Sequence, residues 1–407
     1  MPSITRRGAA VALAAAAVVC ALIAYGSQMG IDYGAAPCAP YICDDAQPAI
    51  VALADGKVHD FFANQPPMGS FSLVVRAPFA AAAETVGGHD LAVYRAGVFA
   101  CLLGLGLLAV WTMFAMTRLR RPRGASLLVA GAVVVNPLTF LALKFGHPEE
   151  LLGAALCTGG VLAAARGRSL LSATLLGCAI ATKQWALLAL PVALVAAPRG
   201  RVRLSAATAG AAGLFTVPMI LADPSRFWLA QKSVGIATTF QNTVTASNVW
   251  FPFARGISAP THTPHGTEVT TQYSLSHALG HLTHPLVALL ALAAVGAYAY
   301  RRRGAGDEAL QLLALVFLIR CVFDPLTYSY HHAPFLVALI VYEGLRRRVP
   351  AMAGYAIAAL LLMTYVVVRT HDPALINAFY LAWSLPLLAG LAVATLAPAR
   401  VRRLSAV

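Results

Sequence analysis

The stretch from Arg118 to Glu150, RLRRPRGASLLVAGAVVVNPLTFLALKFGHPEE, decides how the chain is read. Five basic or turn-forming residues around Pro122 give way to about twenty apolar residues, and the run ends in a turn holding His147, Glu149 and Glu150. About twenty apolar residues are what one crossing of a bilayer needs, and a preceding arginine cluster marks the end retained in the cytoplasm. The acidic and histidine-bearing turn then lies on the other side.

The same alternation runs through the whole sequence. Of 407 residues, 59% are hydrophobic and only 11% charged, with a mean hydropathy of +0.72. A soluble domain would carry roughly 25% charge. Only helices or closed barrels satisfy their backbone groups in lipid, so the composition points to a polytopic helical membrane protein. The net charge of +14 implies no nucleic-acid partner. It sits in short arginine clusters between apolar runs, where it suits anionic headgroups.

Seven clusters serve as topology markers: Arg6-Arg7, Arg118 to Arg123, Arg166/Arg168, Arg199 to Arg203, Arg301 to Arg303, Arg346 to Arg348 and Arg400 to Arg403. Placing all seven inside requires an even number of crossings in each interval. The expected fold is therefore an all-α integral membrane bundle of about twelve transmembrane helices (range 10–13), with both termini cytoplasmic. The spans read as 8–26, 92–116, 124–143, 150–165, 169–182, 184–198, 204–221, 285–300, 308–323, 333–345, 349–368 and 376–397. The segments in 150–198 are short for a crossing, and 169–198 reads either as two tilted helices or as a re-entrant hairpin around Lys183.

The chain is expected to be one domain, 1–407, with two long outer loops. Loop 27–91 should contain interfacial helices: one over 46–63, where Ile50, Val51, Leu53, Phe61 and Phe62 alternate with Asp55, Lys57 and Asp60, and a second, interfacial or partly inserted, over 66–83. Loop 222–284, rich in Thr, Ser, His and Pro, is expected to be irregular and to close over a substrate. On this threading all eleven histidines fall outside, as do all carboxylates but Asp307, Glu308 and Glu343. A chain that merely spans a bilayer has no need for that collection, so an outward-facing active site is expected. Ala- and Arg-rich, Lys-poor usage fits a high-GC bacterium and a plasma-membrane location.

Of the seven cysteines, Cys20, Cys101, Cys157, Cys178 and Cys321 lie in apolar spans as small buried hydrophobes. Cys38 and Cys43 share the first outer loop, where an oxidising compartment permits a disulfide between them.

Asp44 and Asp45 follow at once, and adjacent loop carboxylates are either solvated or catalytic. After them come a short amphipathic segment with Gly56, then Pro66-Pro67-Met68-Gly69, then a helix opening on Ala92-Val93-Tyr94-Arg95. Further on stand Gly146-His147-Pro148-Glu149-Glu150 and Ala181-Thr182-Lys183 before Pro191. In this order the elements resemble the GT-C superfamily of polyprenyl-phosphate-sugar-dependent glycosyltransferases. The likeness is greatest to family 87, the polyprenol-phosphate-mannose-dependent mannosyltransferases, and looser to families 39 and 83. It covers roughly residues 1–220 and the loop before 333.

The resemblance implies a GT-C-type bundle, a catalytic aspartate at Asp44 or Asp45, and donor-phosphate contacts at the His331-His332 turn. Where such patterns often place Tyr after the aspartate, this chain has Pro48. Spacing to Gly56 favours Asp44.

The chemistry can also be stated from the residues. Transfer of a sugar from a lipid phosphate needs a base at the acceptor hydroxyl and cations or donors on the departing phosphate. Lys183, between two apolar stretches, is either a used cation or a snorkelling side chain. His331 and His332 share a short turn with Arg320 and Asp324, where they serve either phosphate or an interfacial aromatic girdle. Arg95 is a further phosphate candidate, ahead of Arg76, Arg226, Lys232 and Arg255. His147, Glu149 and Glu150 are acceptor or metal candidates, or helix-capping residues. His277, His281 and His284 repeat at helical spacing but lack the Glu of a His-Glu-x-x-His zinc motif. No cofactor is demanded, and a divalent cation is compatible.

The expected function is a membrane glycosyltransferase. It takes a sugar, mannose by resemblance, from a polyprenyl-phosphate donor to a glycolipid, cell-wall glycan or protein outside the cytoplasm. The alternatives are a transporter or flippase of lipid-linked intermediates, and an inactive GT-C-like binding scaffold.

Overall fold

The structure, a computed structural model, describes residues 6–27, 46–64, 69–88, 90–231, 242–263, 266–301, 306–346 and 350–397. Asp44, Asp45, Cys38, Cys43 and Lys232 lie outside the described residues.

The fold is an all-α membrane bundle. Among the described residues, seven helical segments are each long and apolar enough to cross a membrane: Arg6–Gly26, Leu91–Arg118, Arg123–Lys144, Arg201–Ala222, His277–Arg301, Ala351–Thr370 and Pro373–Leu396. The other five expected spans coincide with shorter apolar helical segments. These are α8 (Pro148–Ala165), α9 (Ser169–Ile180), a 3-10 turn (Gln184–Leu188) leading into α10 (Ala189–Ala196), α14 (Ala309–Phe323) and α15 (Ala333–Arg346). Their shortness has a physical reason. Nearly every residue of α8, α14 and α15 is buried against protein, so these helices form the centre of the bundle and need not match the hydrocarbon thickness.

Before the centre come α1 (Arg6–Gly26), the short helices α2 (Gln47–Ala54) and α3 (Val58–Ala63), α4 (Ser70–Thr85) and α5 (Asp90–Arg118). The single surface helix expected over 46–63 is two helices, split by a turn at Gly56 (φ 73°). α4 is more than an interfacial helix: Ser72, Leu73, Arg76 and Ala80 are buried and it packs along α5. The span 124–143 is a helix broken in two, α6 (Arg123–Val134) and α7 (Pro137–Lys144). Asn136 makes the break, its side chain accepting from the backbone N–H groups of Leu138 and Thr139 at 3.0 and 3.2 Å, with Pro137 at the first helical position.

The 169–198 stretch is a hairpin of α9 and the 3-10 turn plus α10, with Ala181-Thr182-Lys183 at its tip. Gly69 N–H donates to Thr182 O at 2.9 Å and Phe71 N–H to Ala181 O at 3.0 Å, pinning the start of α4 to that tip. A Cβ at position 69 would lie 2.0 Å from Ala181 O, so only glycine permits the approach.

The rest of the bundle is α11 (Arg201–Ala222), α12 (Pro224–Gln231), α13 (His277–Arg301), α16 (Ala351–Thr370) and α17 (Pro373–Leu396). The loop expected to be irregular contains α12 and an antiparallel hairpin of β1 (Arg255–Thr263) and β2 (Gly266–Ser274). Its described part before the hairpin is laced to the end of α14. Val249 N–H donates to Val322 O at 3.1 Å and Trp250 Nε1 to Phe323 O at 2.6 Å. Two carbonyls that a helix terminus leaves without an internal partner are thereby satisfied. Asn248, fully buried, donates to Pro325 O at 2.8 Å, and Asn377 of α17 donates to Ala246 O and Asn248 O at 2.8 Å each.

Candidate active site

One end of the bundle gathers ionisable side chains from five elements. α8 begins there with His147, Glu149 and Glu150, the last two completely buried. Lys183 reaches them from the hairpin tip, its Nζ 2.9 Å from Glu149 Oε1 and 3.5 Å from Glu150 Oε1. His147 Nδ1 lies 3.1 Å from the same Glu149 oxygen. Buried carboxylates are costly unless paired, and here one ammonium, with an 18% exposed side chain, serves both. Acidic residues in the first turn of α8 also suit the positive end of its dipole.

Trp185, which the sequence did not single out, and Arg320 complete the cluster. Trp185 Nε1 donates to Glu150 Oε1 at 3.3 Å, and the Arg320 guanidinium stacks over the Trp185 ring at 5.1 Å. Arg320 Nε lies 3.9 Å from Asp324 Oδ2, and His284 Nε2 lies 4.0 Å from Asp324 Oδ1. Arg76, buried on α4, stands within electrostatic reach of Glu149. Its guanidinium lies along α5 at Gly97, where a Cβ would come 2.9 Å from Arg76 Nε, so the missing side chain makes room for the arginine.

The turn from Asp324 to His332 separates its two histidines. Tyr330 stacks on His147, centroids 4.8 Å apart, and His331 packs edge-on to Tyr330 at 4.6 Å. His331 Nδ1 accepts from Tyr328 N–H at 3.3 Å, which leaves the proton of the neutral ring on Nε2. Burial, then the positive charges of Arg320, Lys183 and His147, hold His331 well below the ordinary histidine pKa. This imidazole is a neutral donor beside the cluster. His332 turns the other way, into the core. Its ring nitrogens lie 3.1 Å from Ser329 O and 3.1 Å from Tyr380 Oη, and its ring packs between Tyr380 and Trp383 of α17. Burial lowers its pKa to about 4.

Arg95 is not in the cluster. Its Nε donates to Ser27 O at 3.1 Å and its guanidinium covers the Tyr25 ring at 5.1 Å. It fixes the end of α1, the point from which the first loop departs. Arg226 and Arg255 are exposed on α12 and at the start of β1. His277 and His281 face each other, Nε2 to Nε2 2.9 Å, on the exposed start of α13. Among the described residues, no three His, Cys, Asp or Glu side chains are arranged to hold a metal ion.

Trp185 and Tyr330 could have been found in the sequence, since each lies within two residues of a candidate, Lys183 and His331; Arg76 is already among the phosphate candidates.

A polytopic helical bundle with a buried ionisable cluster at one of its ends is an architecture suited to a membrane enzyme. The profile of glycosyltransferase family 87 matches residues 66–325, well over half of the chain, which therefore belongs to that family and to the GT-C superfamily. It is a membrane glycosyltransferase. The matched region contains Arg95, His147, Glu149, Glu150 and Lys183, and excludes Asp44, Asp45, His331 and His332. No curated protein sequence matches the chain. Among solved structures, the crystal structure of ArnT from Cupriavidus metallidurans bound to undecaprenyl phosphate is similar at 14% identity. That likeness covers 96% of this chain and 78% of that one, with a TM-score of 0.47. At that distance the likeness transfers no residue.

Proposed function

We propose that the protein transfers a hexose, mannose first, from a polyprenyl monophosphate donor to a hydroxyl of a glycolipid, cell-wall glycan or protein. On this reading the cluster faces the extracytoplasmic side of a bacterial plasma membrane and both termini are cytoplasmic. The observation that carries the proposal is Lys183 held between Glu149 and Glu150 at the bundle end, within a chain of family 87.

The reaction is a single displacement at the anomeric carbon. The acceptor oxygen forms the new bond as the bond from carbon to phosphate oxygen breaks, with inversion. Asp44 or Asp45, with Asp44 favoured by its spacing to Gly56, takes the acceptor's proton. The phosphate leaves with the electron pair, and its growing charge is met by the Lys183 ammonium and the Nε2–H of His331. Glu149 and Glu150 fix the ammonium rather than reacting. His332 positions the turn that carries His331, and Arg95 anchors the root of the loop that carries Asp44 and Asp45. The loop 222–284 covers the acceptor. No cofactor enters the scheme, although the oxygens of Asp44 and Asp45 would suit a hard divalent cation.

A transporter would place its polar groups near the midplane, on discontinuous helices. Here Glu149, Glu150, Lys183, Arg320 and Asp324 gather at one end of the bundle rather than midway along it, which favours the enzyme.

The test is donor dependence. The full chain in proteoliposomes, with membrane extract as acceptor, receives radiolabelled polyprenyl-phosphate-mannose or GDP-mannose. Label should reach the acceptor from the lipid donor alone. Transfer from the nucleotide sugar alone would overturn the donor class, and no transfer from any polyprenyl-linked sugar would move the reading to a transporter or binding scaffold.

A further inference from the structure

At the opposite, arginine-rich end of the bundle an open groove of about 290 Å³ runs between α5 and α9, lined by Leu107, Val110, Trp111, Phe114, Arg168 and Leu171. Both helices pack on α8, which lies beneath the groove. Gly159 lies there with the Trp111 ring and Leu175 against it, at 3.5 and 3.4 Å from where its Cβ would be.

The α5 wall is a single face. Positions 107, 110, 111, 114 and 118 recur at three- and four-residue steps, so the apolar stripe from Leu107 through Phe114 leads to Arg118. From Leu107 to Arg118 the helix rises ~16 Å at 1.5 Å per residue, close to one leaflet of a hydrocarbon core ~30 Å thick. Leu107 and Leu171 are exposed, so the groove opens to the surroundings of the bundle rather than into its interior.

The charged end is distinctive. The Arg166 guanidinium stacks over the Trp111 ring at 5.7 Å. Arg118 and Arg168 lie within electrostatic reach of it, and Asp307 is the acidic group that reaches it. Three guanidinium groups against one carboxylate leave an excess of positive charge where the groove ends. The apolar channel and that excess belong to one site.

We propose that this groove binds an anionic phospholipid, one acyl chain along Leu107, Val110, Trp111, Phe114 and Leu171, its phosphate against Arg166 and Arg168. The site is separate from the transfer chemistry and lies at the other end of the bundle. Guanidinium is suited to phosphate because its planar donors match two oxygens at once, and a diffuse attraction between headgroup-level arginines and lipid would show neither the Trp111 dependence nor the groove.

The full chain is reconstituted in vesicles in which dibrominated phosphatidylglycerol or dibrominated phosphatidylcholine replaces an equal fraction of a common lipid background. Bromine on the acyl chain quenches tryptophan in contact with it. Phosphatidylglycerol should quench at least twofold more than phosphatidylcholine, and the excess should vanish in Trp111→Phe. It should fall in Arg166→Gln/Arg168→Gln, and fall less far in Arg166→Lys/Arg168→Lys, which keeps the charge but not the planar fork. In the wild type, added salt should shrink the excess through screening, a readout independent of whether any variant folds. Equal quenching by the two lipids in the wild type would overturn the proposal. So would an excess unchanged by Trp111→Phe, by the glutamine pair or by salt.

Discussion

Lys183 Nζ lies 2.9 Å from Glu149 Oε1 and 3.5 Å from Glu150 Oε1, so one cation at the tip of the α9–α10 hairpin serves two adjacent carboxylates at the start of α8. Removing one partner of a buried ion pair leaves an uncompensated charge, at a cost of about 3–5 kcal/mol. Lys183→Met should lower the unfolding free energy of the detergent-solubilised protein by that order. Combining it with Glu149→Gln should restore part of the loss, since a neutral amide is cheaper to bury. Additive losses in the double variant would show that the pair is not coupled.

The hairpin tip depends on Gly69. Any side chain there would overlap Ala181 O, so Gly69→Ala should push α4 away from the tip and displace Lys183. Misplacement by about 1 Å can reduce a rate by on the order of 100-fold. Initial transfer rates from the lipid donor should fall to that extent in Gly69→Ala. A rate within a few-fold of wild type would mean that the pinning does not position the site.

The two histidines of one turn should separate by phenotype. His331 donates from Nε2 beside Lys183 and Arg320, whereas His332 is locked between Ser329 O and Tyr380 Oη. His331→Phe should reduce kcat with little change in thermal stability. His332→Phe should lower the melting temperature instead, because it removes the ring's polar contacts to Tyr380 Oη and Ser329 O, leaving the Tyr380 hydroxyl with its bond to Cys321 O. The reverse pattern, read from transfer assays beside thermal melts, would exchange their roles.

His332 also predicts a direction with pH. Its folded pKa of about 4 lies below the ordinary value of 6.5, so the unfolded chain takes up the proton first. Stability from this group is intact above pH 6.5 and is lost as pH falls from 6.5 through about 4, by on the order of 3 kcal/mol. Melting temperatures across that window should decline less steeply in His332→Phe. An identical slope in the two proteins would remove His332 as the source.

Much of this architecture was legible because the signals were compositional. Arginine clusters and apolar run lengths placed twelve segments, and each coincides with helix. The break at Asn136-Pro137 carries a cap signature, but hydropathy runs straight through it. The lacing of Val249 and Trp250 onto α14 was invisible for a different reason: its acceptors are backbone carbonyls, which every residue has. Lys183, Glu149, Glu150 and His147 stood out as charges in apolar surroundings, and the structure brings them together. Arg95 stood out equally and is elsewhere, because a charged helix start can serve a neighbouring helix end as readily as a site. That His331 and His332 face opposite ways follows from the 3-10 turn they occupy, which a pair of identical letters does not reveal.

A lipid-donor glycosyltransferase with an aspartate base in the first loop is tested by transfer from radiolabelled polyprenyl-phosphate-mannose by wild type, Asp44→Asn and Asp45→Asn. Label should reach an acceptor in wild type, be lost in Asp44→Asn and be largely kept in Asp45→Asn. Equal transfer by all three proteins would contradict the aspartate mechanism, and no transfer by wild type from any polyprenyl-linked sugar would contradict the donor itself.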